Sequence, residues 1–288
     1  MEIQTKNIIK LLILPLALVA AIVFHYGHDS RPEYLLRVSF LDVGQGDAIL
    51  ITTHQGNRVL IDGGPGDSVL EELGKDVPIY DKTIDMVILS HAHADHFEGL
   101  TAVLKRYQVR RIMLPNLDYS SSAYDSFKAA MANEGAEVTY AVQGQRAWLD
   151  EATAFDVLSP KFTQPFDPPK NYDINDSSVV AMLTFGTTKI LFTGDAGFEQ
   201  EAELLPQFDL DADLLKVGHH GSKSSTSREF LAEVTPLFAV IQSGEGNRYG
   251  HPSPEALARL AEVGAQIYRT DSGQRLEFVS DGSSIRRR

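Results

Sequence analysis

The chain of 288 residues contains no cysteine. That excludes disulfides, thiolate zinc sites, a cysteine nucleophile and lipid attachment through an N-terminal Cys. Positive charge is also scarce: 26 Lys and Arg against 39 Asp and Glu leave a formal net charge of -13. Such a molecule does not attract nucleic acid as a whole. A polyanionic substrate would need a local basic rim or bound cations. No low-complexity segment occurs, and no internal linker divides residues 35–288. Long uncharged runs are missing except for one, "LLILPLALVAAIVF" from Leu11 to Phe24, preceded by Lys6 and Lys10. This run is expected to be a single-pass membrane anchor or a signal peptide cleaved near Ala21, with the lysine-bearing end in the cytoplasm. Residues 1–30 are therefore set apart from a domain over 31–288, which is expected to be exported to the cell envelope.

From Leu35 onward, short apolar runs alternate with turn signals. "YLLRVSFLDV", "DAILITT" and "RVLIDGG" read as strands around the "GQG" and "HQGN" turns. "IDMVILS" is an unbroken apolar run, as for a strand buried on both faces. "EGLTAVLKRY" has helical spacing, "VRRIML" is extended, and "SSAYDSFKAAMANEG" is a helix framed by serine caps and Gly135. In the second half "SVVAMLTFGTTKILFTGD" is a hairpin turning at Gly186. "ADLLKVG", "PLFAVIQS" and "AQIYRT" are further strands, with "STSREFLAEV" and "SPEALARLAEV" as capped helices. Two antiparallel runs, each followed by strand–helix alternation, imply two packed sheets with helices outside, an α/β sandwich.

Five strands run straight into small polar or ligand-type residues: "FLDVGQGD", "VLIDGG", "VILSHAHADH", "ILFTGD" and "LLKVGHHGS". Sites form where strand ends and their loops converge, so these endings point to one site. His91 and His93, two apart in extended chain, can grip one ion, and Asp95 and His96 can face a second. Asp195 is placed to bridge two ions, and His219 and His220 could complete the second ion's shell. Nitrogen and carboxylate donors suit zinc and also accept manganese or iron. Asp95, Asp195 and His219 make up the candidate catalytic set. His25, His28 and His54 stand alone and read as surface or core residues.

Taken in order, "FLDVGQGDAILI", "LIDGGP", "LSHAHADHFEGL", "NDSSVVAML", "ILFTGDAG", "LLKVGHHGS" and "NRYGHPSPE" resemble the metallo-β-lactamase superfamily. More narrowly, residues 36–286 resemble the hydrolase-like domain of the ComEC competence proteins, without their channel. The resemblance implies an αββα sandwich and two divalent ions, zinc or manganese. It makes His91 and His93 ligands of the first ion, Asp95, His96 and His220 ligands of the second, and Asp195 the bridge. It leaves His219 beside the substrate as a proton donor, and makes Asp62 a buried support for the ligand loops. Asn247, Tyr249 and His251 would lie at the rim. Many superfamily members carry a further histidine where this chain reads "INDSSVVAML", so Asn175, Asp176 or Ser177 is the expected oxygen donor in its place.

The resemblance favours phosphodiester cleavage of DNA, expected to be single-stranded, in connection with DNA uptake and its machinery. Lys223 and Arg248, in serine- and glycine-rich loops, are candidates to hold phosphate. Hydrolysis of a small ester, lactone or phosphorylated head group, or non-hydrolytic binding of DNA or a channel, are the alternative expectations.

Overall fold

Apolar runs and glycine turns build two sheets over residues 35–161, 164–168 and 172–288, the residues described in a computed structural model of the chain. The expected N-terminal anchor or signal lies outside these residues. Among those described, no helix is long and apolar enough to cross a membrane.

The first sheet comprises β1 (Leu36–Phe40), β2 (Ile49–Thr52), β3 (Arg58–Ile61), β4 (Thr83–Ile88), β5 (Gln108–Pro115) and β6 (Glu137–Ala141). The second comprises β7 (Arg146–Trp148), β8 (Thr153–Ser159), β9 (Val180–Phe185), β10 (Thr188–Phe192), β11 (Leu214–Lys216), β12 (Phe238–Ile241) and β13 (Gln266–Arg269). The last strands, β14 (Leu276–Ser280) and β15 (Ile285–Arg287), return to the first sheet beside β1. Each sheet is half antiparallel and half parallel: β1–β3 pair antiparallel and β3–β6 parallel, then β7–β10 antiparallel and β10–β13 parallel. The parallel halves need crossovers, and these supply the helices.

Helices α1 (Ser68–Leu73), α2 (Ala94–Leu104) and α3 (Ser122–Glu134) cover the first sheet; α4 (Phe198–Leu204), α5 (Arg228–Val234) and α6 (Pro254–Glu262) cover the second. Three apolar cores result. Phe40, Phe155, Phe192 and Phe278 fill the space between the sheets. Leu100, Val103 and Phe127 pack under the first helical layer, and Leu204, Phe230 and Leu260 under the second. The layers therefore run αββα, and the central strands read as continuous apolar runs because both their faces are covered.

Serine caps set three helix starts. Ser121, Ser227 and Ser253 accept hydrogen bonds from the amides of Tyr124, Phe230 and Ala256 at 3.1–3.2 Å. Helix α3 ends at Gly135, at φ 73°. Helix α2 differs from the sequence reading. It begins inside the histidine cluster, with His93 at its cap position and Asp95 and His96 in its first turn. His54, read as a lone residue, pairs with Asp150 at 2.9 Å and stacks on Phe185.

Two glycines seat α2 against the end of β3. A Cβ on Gly99 would stand 1.9 Å from the carbonyl oxygen of Gly63, and one on Gly63 would stand 2.5 Å from the amide of Leu100. The Gly63 amide donates to His96 and the Gly99 amide to Gly64, at 2.8 and 2.9 Å. Gly99→Ala is therefore expected to destabilise the fold by about 1–3 kcal/mol through overpacking against backbone. Denaturant unfolding of the two proteins measures this; equal midpoints would contradict the close approach.

Candidate metal centre

Strand ends from both sheets meet at one edge of the sandwich. From the first sheet, β4 delivers Ser90, His91 and His93, and the first turn of α2 adds Asp95 and His96. From the second, β10 delivers Asp195 and β11 delivers His219 and His220. His219 and His220 are consecutive non-glycine residues in the left-handed region, at φ 46° and 51°, and Asp62 after β3 is a third at φ 56°. Such conformations cost about 1–3 kcal/mol each and persist where surrounding structure imposes them.

Asp195 is the meeting point. It is 2% exposed, and its carboxylate stands 3.8 Å from His91 Nε2, 3.5 Å from His96 Nε2, 3.8 Å from His219 Nε2 and 3.5 Å from His220 Nε2. Its amide donates to Ser178 Oγ at 3.1 Å. Of four groups of candidate ligand atoms that each gather within 4.8 Å, two are His91, His93 and Asp195, and Asp95, His96 and His220; the other two include Asp47. His220 Nε2 is 3.4 Å from Asp95.

The outward nitrogens are bonded in ways that aim the inward ones. His96 Nδ1 faces Asp62 Oδ2 at 2.8 Å, and His220 Nδ1 donates to the Gln242 carbonyl at 2.9 Å. Asp62 is held in turn by the amide and hydroxyl of Ser90, at 2.7 and 2.6 Å. Such support fixes which ring nitrogen is presented. His96 Nε2, His220 Nε2 and Asp195 Oδ1 are buried without a hydrogen-bond partner among the described residues. Buried polar atoms left so are costly, and inward-facing nitrogen and oxygen donors suit a divalent cation. The residues fit divalent-cation binding, with Asp195 close to donors of both groups.

The remaining expected residues lie around this core. Asp195 and His219 border a cavity of about 590 Å³ that is also lined by Asn175, Asp176, Asp173, Glu199 and Tyr172. The His219 side chain is 28% exposed, whereas His220 is enclosed at 2%. Asn175 is buried with Oδ1 unpartnered, while Ser177 donates its hydroxyl to the Ile174 carbonyl at 2.7 Å. The cavity wall is acidic: burial and the neighbouring Asp173, Glu199 and Glu203 push the Asp176 carboxyl upward. Lys223 is exposed on the loop after His220. Arg248 donates to Tyr249 Oη at 2.8 Å and lies over its ring. Tyr249 stacks on His251, whose ring is 5.6 Å from that of His219. Asn247 accepts from the amides of Tyr249 and His251 at 3.2 and 3.0 Å and so shapes this loop.

Several supporting residues were not singled out in the sequence. Ser90 adjoins the cluster, and Asp47 ends the quoted "GQGD". Lys216 is a lone cation in the apolar run "ADLLKVG", and such a residue signals a buried partner. Glu201 and Arg259 carry no sequence signal. Glu201 accepts from the amides of Thr226 and Ser227, and Arg259 donates to the carbonyls of Lys223, Ser225 and Thr226, which clamps the loop after His220.

Before an ion binds, the two groups differ in charge. Burial, then the nearby His96, hold His91 well below the ordinary histidine range, and burial lowers His93. Burial works against protonation of His96 and His220 too, but the Asp195 carboxylate overcomes it, with Asp62 for His96 and Asp47 for His220. His96 is raised well above 6.5 and His220 up to about 10. The first group is thus ready to ligate, whereas an ion at the second must displace protons. Its affinity is expected to rise with pH below about 10, roughly tenfold per unit for each proton displaced. Calorimetry in buffers of different ionisation enthalpy measures the released protons; pH-independent uptake of both ions would contradict this.

The metallo-beta-lactamase superfamily model matches residues 41–244. ComE operon protein 3 of Bacillus subtilis is 33% identical over 259 residues, covering 84% of this chain and 32% of that protein. Recombination protein 2 of Haemophilus influenzae is 31% identical over 262 residues, covering 89% and 30%. The chain thus spans about a third of the length of these curated relatives. Among solved structures, the metallo-beta-lactamase fold protein YhfI of Bacillus subtilis aligns with a TM-score of 0.57 at 15% identity, over 84% of this chain and 99% of that one. With its strand ends converging on two ligand groups and its sequence matched over most of its length, the chain belongs to the metallo-beta-lactamase superfamily.

Proposed function

We propose that the chain is a metal-dependent phosphodiesterase acting on single-stranded DNA, exported to the cell envelope and connected with DNA uptake. The observation that carries the hydrolase reading is the pair of three-residue ligand groups around the buried Asp195, a member of the first that also stands 3.5 Å from His96 and His220 of the second. DNA as substrate is supported by the similarity to a ComE operon protein, a competence protein of Neisseria gonorrhoeae and a recombination protein. Export and tethering rest on the apolar N-terminal run.

Two divalent ions, zinc or manganese, held by His91, His93, Asp95, His96, Asp195 and His220, would acidify a water and offset charge on the attacked phosphate. The chain's own groups do the rest. Asp62 and Ser90 keep His96 aimed inward. His219, on the cavity wall and near Asp195, is the group to protonate the leaving oxygen. Arg248, lying over the exposed Tyr249 ring, offers charged donors to a neighbouring phosphate. The acidic wall of Asp173, Asp176 and Glu199 repels phosphate, which favours a strand approaching along the Arg248 side.

That wall also favours a second reading, hydrolysis of a small ester whose neutral or cationic part occupies the cavity. Cleavage of end-labelled single-stranded DNA by the full chain, loaded separately with Mn²⁺ and Zn²⁺, separates the two. Cutting is expected with at least one ion and should fall at least about 100-fold in Asp195→Asn, more than for loss of a supporting residue. Arg248→Ala should weaken DNA binding about tenfold and flatten its salt dependence. No cutting with both ions bound would sink DNA as substrate and leave the small ester. Binding of DNA without cutting would favour a non-hydrolytic module.

A further inference from the structure

Asp47 and Lys216 are charged, stand outside the two ligand groups as described, and are 1% exposed each. Lys216 Nζ stands 2.7 Å from Asp47 Oδ2 and donates to the Val217 carbonyl at 2.8 Å. Asp47 Oδ1 lies 3.3 Å from His220 Nδ1, beside the Gln242 carbonyl that takes that nitrogen's hydrogen bond. The backbone of Asp47 is engaged as well: its amide donates to Asp95 at 3.3 Å, and its carbonyl accepts from Gly64 at 2.7 Å. One residue from the β1–β2 loop therefore touches the α2 turn, the β3 turn and the second sheet's histidine.

A buried ion pair adds little stability over an apolar pair of equal size, so stability alone does not account for this one. Asp47 is also close enough to ligate. Its carboxylate gathers within 4.8 Å of donor atoms of Asp195 and His220, and likewise of Asp62 and His96. The Lys216 ammonium holds one of its oxygens away from that role and leaves the other beside the His220 ring.

We propose that Asp47, held by Lys216, is a positioning residue for His220: it orients that ring as a ligand of the second ion and couples the ion's affinity to the docking of the two sheets. The proposal rests on reading the cluster as a two-ion centre. A carboxylate behind a ligating imidazole fixes the ring and strengthens it as a donor, and loss of such support weakens metal binding about 10–100-fold.

The test uses the full chain and Co²⁺ as probe, with uptake followed by calorimetry and by the visible absorption of each equivalent. The neutral double variant Asp47→Asn/Lys216→Met removes both charges together, so neither is left unpaired in the interior. The expected result is a native first equivalent, a second bound about 10–100-fold more weakly, and a changed spectrum for that equivalent alone. A double variant that folds and takes both equivalents with native affinity and spectrum would overturn the proposal, whatever its thermal midpoint. Should the double variant fail to fold, Asp47→Asn measured in the same way decides. Failure of both to fold would make the pair a structural strut and overturn it too, as would a native chain that takes no second ion. A native chain that binds two ions but leaves DNA uncut would sink the phosphodiesterase reading without touching this one.

Discussion

A carboxylate can be buried only where positive charge or donors are brought to it, and Asp195 is buried among four histidines. The carboxylate belongs to the second sheet, two of those histidines belong to the first, and neither sheet satisfies its own part alone. Docking the sheets and assembling the site are therefore one event. The aromatic core between them supplies the driving force, and the site at their edge sets how they register. The bond of Asp62, braced by Ser90, then fixes the His96 ring and that of Gln242 the His220 ring, so that inward-facing atoms remain for a cation.

Close backbone approach is the second condition. Gly63 and Gly99 let α2 start hard against the end of β3, which brings His96 onto Asp62. Gly46 does the same for the β1–β2 loop, where a Cβ would stand 2.2 Å from the Asp95 carbonyl. On the second sheet the strained turn at His219 and His220 is held by Glu201 and Arg259, which satisfy amides and carbonyls of the following loop. The strain splits two adjacent histidines between an enclosed position and the cavity wall.

Charge is distributed unevenly around this centre. An acidic cavity borders Asp195 and His219, while outside its lining Arg248, Tyr249 and His251 form a ladder of rings and guanidinium reaching toward His219. The net charge of -13 therefore says little about what the site can hold. Within a few ångströms of the centre, local charge outweighs the total, because charges beyond about 10 Å are screened in salt.

Much of this was legible in the residues. The "SHAHADH" run, the glycine-flanked aspartates and the "HHG" ending declared the candidate donors, because ligand chemistry is a property of residue type and short spacing. The strand–helix alternation declared the layers, because apolar periodicity reflects which faces are covered. Helix caps at Ser121, Ser227 and Ser253 were legible for the same local reason. Other features were not. Strands β14 and β15 joining β1, the start of α2 within the histidine cluster, the Asp47–Lys216 pair and the clamp by Glu201 and Arg259 all depend on partners far away in the chain. A carboxylate or a lysine looks the same in sequence whether it faces water or a buried counter-charge, and only the packing of two sheets decides which.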